Sequence, residues 1–70
     1  MLRDELVEFC EKAKGCKCRV TTKAGNIYEG TLLGCQVLTN NNLKLARIQI
    51  DVDGLIREFY CTVIEKIEKL

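Results

Sequence analysis

The amino-acid sequence predicts one mainly β domain over residues 1–70, in which a short N-terminal helix precedes a strongly bent five-stranded antiparallel sheet that closes into a small barrel. Two observations carry this prediction. The spacing of apolar residues changes from three and four to two after Gly15, and two glycines interrupt the second stretch of alternating residues. We therefore predict the helix within residues 1–14 and the barrel over residues 16–70.

The N-terminal helix is predicted from a single apolar face. Apolar residues recur on it at intervals of three and four, while acidic residues crowd the first half and lysines the last turn, which suits the helix dipole. The residues of this face are Leu2, Leu6, Phe9, Cys10 and Ala13. Gly15 is the expected C-terminal stop. We expect this helix to cover an open barrel end or one face of the sheet.

Five strands are predicted from two-residue alternation and from the turn residues that separate them. Turns are expected at residues 24–26, where Gly25 can take a positive φ, and at residues 51–54. The strands are predicted at residues 16–23, 27–35, 43–50, 55–61 and 63–67. Residues 65–70 also fit a helix on composition alone, and we favour the strand.

Three details of the sheet follow from single residues. Gly30 and Gly34 weaken a flat strand, so they indicate a sharp bend or the close approach of another backbone. A one-residue bulge is predicted near Ala46, because the apolar phase of the third strand shifts there. Residues 39–42 read Thr-Asn-Asn-Asn, and a turn is predicted for them because asparagine tolerates left-handed backbone geometry.

Length and charge limit the class of protein. A domain of 70 residues buries only about 60–65% of the surface that its unfolded chain exposes, so we expect it to need an oligomer, a metal or disulfides for stability. The net charge of +1 argues against a strongly basic nucleic-acid binder. Because no apolar run is long enough for a membrane span and no secretory signal is recognised, we expect a soluble cytoplasmic protein without a membrane partner.

Five cysteines and the absence of histidine limit the chemistry. The odd count predicts no disulfide framework, and Cys16 with Cys18 is a single close pair where a structural zinc site usually needs two. We therefore expect reduced thiols that pack as small apolar side chains, with no metal and no cofactor. A cysteine nucleophile would lack a histidine partner, so we predict neither an enzyme nor a small-molecule substrate.

Residues 20–34 resemble the first motif of the Sm-like family, which includes bacterial Hfq. The motif residues here, in order, are Gly25, Tyr28, Gly30, Leu32 and Gly34. Residues 40–45 are similar to the Asn-Leu-x-Leu element that closes that motif, and residues 59–67 take the place of the second motif. The resemblance implies a strongly bent small barrel. It also implies a homo-oligomeric ring, a hexamer or heptamer, in which the fourth strand of one subunit pairs with the fifth strand of the next.

The chain departs from the family pattern at three places. The family's usual acidic residue is Gln36 here, and residues 38–42 are one or two residues longer than the common pattern. The Arg-Gly that usually holds RNA bases is replaced by Tyr60, Cys61 and Thr62. Tyr60 matches the tyrosine of the Tyr-Lys-His found in Hfq proteins, although the Lys-His pair is absent.

The resemblance implies that the ring gathers single-stranded U- or A-rich RNA in RNA metabolism. Stacking on an aromatic side chain contributes about 1–3 kcal/mol per base, and an amide supplies both a donor and an acceptor to a base edge. The predicted RNA-binding residues are Asn40, Asn42, Tyr60, Thr39 and Asn41. Turn formation is the alternative role of the asparagines, and strand packing or a subunit contact that of Tyr60. Lys17, Arg19 and Lys23 are expected on a solvated polar face.

Two other interpretations of the same sequence stay open. The missing Arg-Gly and the near-neutral charge fit an oligomeric protein-interaction scaffold that has kept the fold and lost RNA binding. Alternatively, the chain is some other small β-barrel with a helix. Tyr60→Ala separates the RNA-binding ring from the scaffold, because a scaffold has no RNA affinity to lose.

Overall fold

The structure is a computed structural model that describes residues 1–40 and 43–70. Within this part of the chain, helix α1 (Arg3–Ala13) is followed by five strands. They are β1 (Lys17–Thr22), β2 (Ile27–Asn40), β3 (Leu43–Val52), β4 (Leu55–Tyr60) and β5 (Ile64–Lys69). The strands are antiparallel and form one open sheet in the order β4-β3-β2-β1-β5. The prediction of a mainly β protein with one N-terminal helix and five strands is confirmed.

Helix α1 lies against β2 and β3 through the apolar face that the sequence predicts. Leu6, Cys10 and Ala13 are buried, and Phe9 packs at the edge of the core. Leu2 belongs to the predicted face but is 70% exposed, and it precedes the first helical residue. Over the described residues, no helix has the length and apolar character to cross a membrane.

Hydrogen bonds hold both ends of α1. The Leu2 N–H donates to the Glu5 carboxylate over 3.3 Å. At the other end Gly15 has a φ of +84°, and its N–H donates to the Leu32 carbonyl over 2.8 Å. This bond ties the end of the helix to β2. The predicted stop at Gly15 is confirmed.

Strand β2 is the element that bends the sheet. Its first part pairs with β1 and the remainder with β3, and the register with β3 shifts at Leu33. A β-carbon added at Gly30 would lie 2.0 Å from the carbonyl oxygen of Asp51, so the predicted close approach of another backbone is confirmed there. A β-carbon added at Gly34 would meet nothing within 4 Å.

The bulge lies on β2 and not on β3, so its predicted position near Ala46 is wrong. Strand β3 pairs with β2 without a shift between residues 43 and 49. Ala46, Ile48 and Ile50 are all buried, so the core-facing residues of β3 keep one phase. The sequence suggested a phase shift because Leu45 is apolar too, but Leu45 is only half-buried.

Two of the four residues predicted to form a turn at positions 39–42 lie in a strand instead. Thr39 and Asn40 belong to β2, where they pair with Lys44 and Leu43 of β3. Strand pairing therefore prevails over the turn preference of these two residues. The remaining part of the prediction, at residues 41 and 42, lies outside the described residues.

A two-residue turn joins β3 to β4. Asp53 and Gly54 have φ values of +54° and +86°, which are those of a type I′ turn, and the Asp51 carboxylate accepts a hydrogen bond from the Gly54 N–H over 2.8 Å. The turn is thus confined to two residues of the predicted 51–54. The positive φ predicted for Gly25 is confirmed as well, at +89°.

The bent sheet folds over its own interior. Tyr28 of β2 and Phe59 of β4 have ring centroids 5.0 Å apart, and the Arg57 guanidinium lies 5.2 Å from the centroid of the Tyr28 ring. Strands β2 and β4 are not neighbours in the sheet, so this contact spans the concave face. The buried apolar residues of the strands and of the β4–β5 turn are Cys18, Val20, Leu32, Ala46, Ile48, Ile50, Cys61, Ile64 and Ile67.

The five cysteines are free thiols, and most of them lie in the core. Cys10, Cys18 and Cys61 are buried, while Cys16 and Cys35 are half-buried. Burial raises the pKa of the Cys10 thiol to about 12, with a further contribution from the neighbouring Cys35. Burial also raises the pKa of Cys18 and that of Cys35. These thiols are therefore neutral at physiological pH.

Alkaline pH is expected to destabilise the protein through these thiols. A buried thiol keeps its proton in the native state, whereas the unfolded chain loses it above the ordinary pKa of 9.0. The contribution of such a thiol to the free energy of unfolding is thus fully present below about pH 9 and is lost as the pH rises toward 12. The slope is at most about 1.4 kcal/mol per pH unit for each such thiol.

Urea unfolding at several pH values from about 8 to 11 measures this slope. Cys10→Ala removes one buried thiol, so the variant is expected to lose less stability per pH unit than the parent chain. Cys16→Ala, which removes a half-buried thiol, is the matched control. A Cys10→Ala slope equal to that of the parent chain contradicts the prediction.

Candidate nucleic-acid interface

Tyr60 lies at the end of β4, in a row of side chains that crosses three strands. Its partner on β3 is Arg47, and the partner of Arg47 on β2 is Gln36. Residues directly opposite each other in antiparallel strands share a face of the sheet, with Cβ atoms about 4.5–5.5 Å apart. Gln36, Arg47 and Tyr60 therefore form one row, which we call the outer row, on the face opposite the buried Ile48.

Arg47 is the centre of the outer row, and its guanidinium is engaged on two sides. Nη2 donates a hydrogen bond to Oε1 of Gln36, and Nε lies 2.9 Å from Oε2 of Glu58 as an ion pair. The side chains of Arg47 and Glu58 are 28% and 45% exposed. Tyr60, on the other flank of Arg47, is 40% exposed. The row thus combines an accessible aromatic ring, an amide and a guanidinium whose charge is balanced by Glu58.

Thr39, a predicted RNA-binding residue, lies beyond the outer row on the same strand as Gln36. It is three residues further along β2, a distance of about 10 Å. Side chains alternate between the faces of a sheet, so Thr39 projects from the face opposite to that of Tyr60. The structure brings Tyr60 together with Gln36 and Arg47, and not with Thr39.

The predicted asparagines lie where β2 connects to β3. Asn40 is the last residue of β2, and its backbone pairs with Leu43. Asn41 and Asn42 lie outside the described residues. Strands β2 and β4 are both antiparallel to β3, so the end of β2 and the end of β4 are at the same end of the sheet. RNA binding by the asparagines stays a prediction.

Gln36 and Arg47 were not among the residues predicted for the site. Gln36 stood out only as a departure from the family's acidic residue. Arg47 gave no signal in the sequence, because its place beside Tyr60 depends on how β3 pairs with its neighbours. The bulge at Leu33 shifts the pairing of β2 with β3 by one residue, so the alternation of apolar residues alone does not align Gln36 with Arg47.

The positive charge of Arg19 is also balanced by neighbouring carboxylates. Its Nε lies 2.6 Å from Oε2 of Glu29, and its Nη1 lies 3.9 Å from Oε1 of Glu68. The hydrogen bond to Glu29 raises the pKa of the Arg19 guanidinium. Lys17 and Lys23 are exposed. This arrangement fits the solvated polar face expected for the basic residues of β1.

Strands β4 and β5 are the two edges of the sheet. Among the described residues, β4 pairs only with β3 and β5 only with β1. The pairing of β5 confirms a strand rather than a helix in the C-terminal segment. Large apolar side chains are exposed on β4, at Leu55 and Ile56, and beside the start of β5, at Val63. A free edge with exposed apolar side chains is suited to pairing with another chain.

Comparisons with models of known protein families, with curated proteins and with solved structures find no match to this chain. The structure defines the class of protein: one short helix packed on an open antiparallel sheet of five strands. Its distinguishing features are the outer row and two edge strands that each carry or adjoin exposed apolar residues.

Proposed function

We propose that this chain is an Sm-like barrel subunit that assembles into a homo-oligomeric ring, binds RNA and is not an enzyme. The observation that carries the proposal is the strand order. A ring of the Sm-like kind needs the fourth strand of one subunit to pair with the fifth strand of the next, and β4 and β5 are the strands at the two edges. Such pairing would cover the exposed Leu55, Ile56 and Val63.

The bent β2 supports the barrel part of the proposal. Gly30 allows the backbone of Asp51 to approach closely, and Tyr28 contacts Phe59 across the concave face. A sheet bent in this way leaves β4 and β5 as short edges, and pairing between subunits shields both. Ring formation also supplies the additional burial that a domain of 70 residues needs for stability.

The proposed ligand is single-stranded RNA rich in U or A, bound around Tyr60 and the connection between β2 and β3. Tyr60 is exposed at the end of the sheet where that connection lies. Its ring offers a base about 1–3 kcal/mol of stacking, and the amides of Asn40, Asn41 and Asn42 can read base edges. A ring repeats a modest site six or seven times, so weak contacts add along one RNA strand.

Native mass spectrometry of the reduced protein, alone and with short oligo-U and oligo-A, tests the proposal. A discrete mass of six or seven subunits that takes up RNA is the expected result. A monomer, in place of any discrete oligomer, overturns the ring and with it the Sm-like assignment.

Tyr60→Ala is expected to weaken RNA binding by about 5- to 150-fold, which corresponds to the loss of one stacked base. The oligomer is expected to survive, because Tyr60 is exposed and contributes little to the core. Fluorescence anisotropy with labelled oligo-U and oligo-A measures the affinity. Tyr60→Phe is the matched control, since it keeps an aromatic side chain on which a base can stack. Unchanged affinity of Tyr60→Ala argues against this site.

An oligomeric protein-interaction scaffold is the second candidate function. It is favoured by the ion pairs that balance the charges of Arg19 and Arg47, because these arginines then offer little net charge to RNA. It is also favoured by Cys61 and Thr62, which stand in place of the family's RNA-binding Arg-Gly. A scaffold would use the same edge strands for assembly. A discrete oligomer that takes up neither oligo-U nor oligo-A in native mass spectrometry supports this second function.

A further inference from the structure

We propose that Cys10 and Cys35 form a disulfide when a small disulfide, such as glutathione disulfide, oxidises the protein, and that this bond joins helix α1 covalently to strand β2. The proposal is independent of RNA binding and of the ring, because both cysteines belong to one subunit. It is carried by the position of the two thiols, which are hydrogen-bonded to each other and line the same surface pocket.

Helix α1 and strand β2 are held side by side at one point. The Gly15 N–H donates to the Leu32 carbonyl over 2.8 Å, so the end of the helix is fixed beside the strand. Cys10 lies five residues before Gly15, about 7.5 Å back along the helix. Cys35 lies three residues after Leu32, about 10 Å further along the strand. The helix and the strand therefore bring the two cysteines to the same level.

The register shift of β2 turns Cys35 toward the helix. In a regular strand, residues three apart project from opposite faces of the sheet. Leu32 pairs with Ile50 of β3. Cys35 pairs with Ile48, and both of these isoleucines are buried on one face of β3. Cys35 therefore shares the core face with Leu32, and it packs there against the cluster that contains Cys10.

A pocket of about 240 Å³ between α1 and β2 makes one of the two thiols accessible. Gly34 lines this pocket together with both cysteines, and a β-carbon added at Gly34 would meet nothing within 4 Å. Cys35 is half-buried, whereas Cys10 is only 5% exposed. A small reagent that enters the pocket is therefore expected to meet Cys35 first.

The hydrogen bond between the thiols also favours Cys35 as the attacking sulfur. Burial raises the pKa of both thiols. Their hydrogen bond raises the pKa of Cys10, which donates it, and lowers the pKa of Cys35, which accepts it. The nucleophile in disulfide exchange is the thiolate. Because both thiols are mostly neutral, the reaction is expected to be slow near neutral pH and about tenfold faster for each further pH unit.

The exchange takes place in two steps. The Cys35 thiolate attacks one sulfur of glutathione disulfide, so a mixed disulfide forms and one glutathione leaves as a thiolate, which takes up the proton that Cys35 released. Cys10 then loses its proton and attacks the Cys35 sulfur of the mixed disulfide, which displaces the second glutathione in the same way. Two protein thiols are thereby oxidised to one disulfide, and glutathione disulfide is reduced to two molecules of glutathione.

Peptide mapping identifies the bond, because trypsin can cut between each of the five cysteines and the next. The native protein is incubated with glutathione disulfide, the remaining thiols are alkylated, and the tryptic peptides are analysed by mass spectrometry without reduction. The expected product is peptide 4–12 joined to peptide 24–44 with the loss of two hydrogen atoms, and dithiothreitol separates the two. No crosslink, or a main product that joins other cysteine peptides, overturns the proposal.

Single variants test the order of the two steps. Cys10→Ala is expected to stop at the mixed disulfide, with one glutathione on Cys35. Cys35→Ala is expected to leave Cys10 unmodified, because Cys10 is almost inaccessible. Cys16→Ala, which removes a half-buried thiol outside the pocket, is the matched control and keeps the crosslink. Equal amounts of glutathione on Cys10→Ala and Cys35→Ala would overturn the role of Cys35 as the attacking sulfur.

Urea unfolding tests whether the bond holds the helix on the sheet. The disulfide closes a loop over residues 10–35, so the oxidised protein is expected to have a urea midpoint at least about 1 M higher than the reduced protein. Cys10→Ala treated in the same way is expected to show no such increase. A crosslinked protein with an unchanged or lower midpoint contradicts the proposal that native contacts place the two thiols for this bond.

Discussion

Gly30→Ala is expected to lower the free energy of unfolding by about 3 kcal/mol, at the upper end of the range for adding one methyl group to a close-packed site. The added β-carbon would lie 2.0 Å from the carbonyl oxygen and 2.7 Å from the carbonyl carbon of Asp51. Both are backbone atoms of a residue that pairs with β2 on one side and β4 on the other, so neither can rotate away. Relief requires β2 and the end of β3 to separate at the bend.

Gly34→Ala is the matched control, because it places the same substitution in the same strand. A β-carbon there would meet nothing within 4 Å, and the backbone does not adopt a positive φ. Its effect is expected to stay within about 1 kcal/mol and to be stabilising if the reduced freedom of the unfolded chain prevails. Urea unfolding of both variants measures the difference. Equal losses at the two positions would contradict a close backbone contact specific to Gly30.

The features that could be predicted from the sequence are those that depend on residues near each other in the chain. Gly15, Gly25 and Gly54 all take the positive φ that ends a helix or closes a tight turn, and each was predicted at its place or within the turn. Alternation identified the strands, because the buried face of each strand is fixed by residues two apart. These signals are local, so a single sequence carries them.

The features that the sequence did not reveal depend on pairing between strands. The glycines of β2 signalled a close approach or a bend, but the register shift at Leu33 depends on how β2 pairs with β3 and left no local signal. The same register decides the candidate site. Tyr60 could be proposed from its chemistry and from the family resemblance, whereas its neighbour Arg47 became visible only when β3 and β4 were aligned.

Ile56→Pro is expected to dissociate the proposed ring into subunits while each subunit stays folded. Val52 and Leu55 flank the two-residue turn as a hydrogen-bonded pair, so the next pair, Asp51 and Ile56, directs its backbone groups away from the hairpin. The Ile56 N–H therefore faces the free edge of β4. Proline removes this donor without removing a hydrogen bond between β3 and β4.

The expected effect is large because every subunit interface of the ring loses the same backbone hydrogen bond. One backbone hydrogen bond contributes about 1 kcal/mol, so a hexamer or heptamer loses about 6–7 kcal/mol in total, before the steric conflict of the proline ring is added. Native mass spectrometry and sedimentation measure the subunit count. Circular dichroism at increasing temperature checks that the monomer keeps its fold.

Ile56→Thr is the control that separates the backbone from the side chain. It keeps the N–H and a β-branched side chain suited to strands, while it removes most of the apolar surface that Ile56 exposes. If edge pairing through the backbone holds the ring, Ile56→Thr weakens assembly less than Ile56→Pro does. A ring that survives Ile56→Pro must be joined somewhere other than along the free edge of β4, and the strand order would then no longer support an Sm-like assembly.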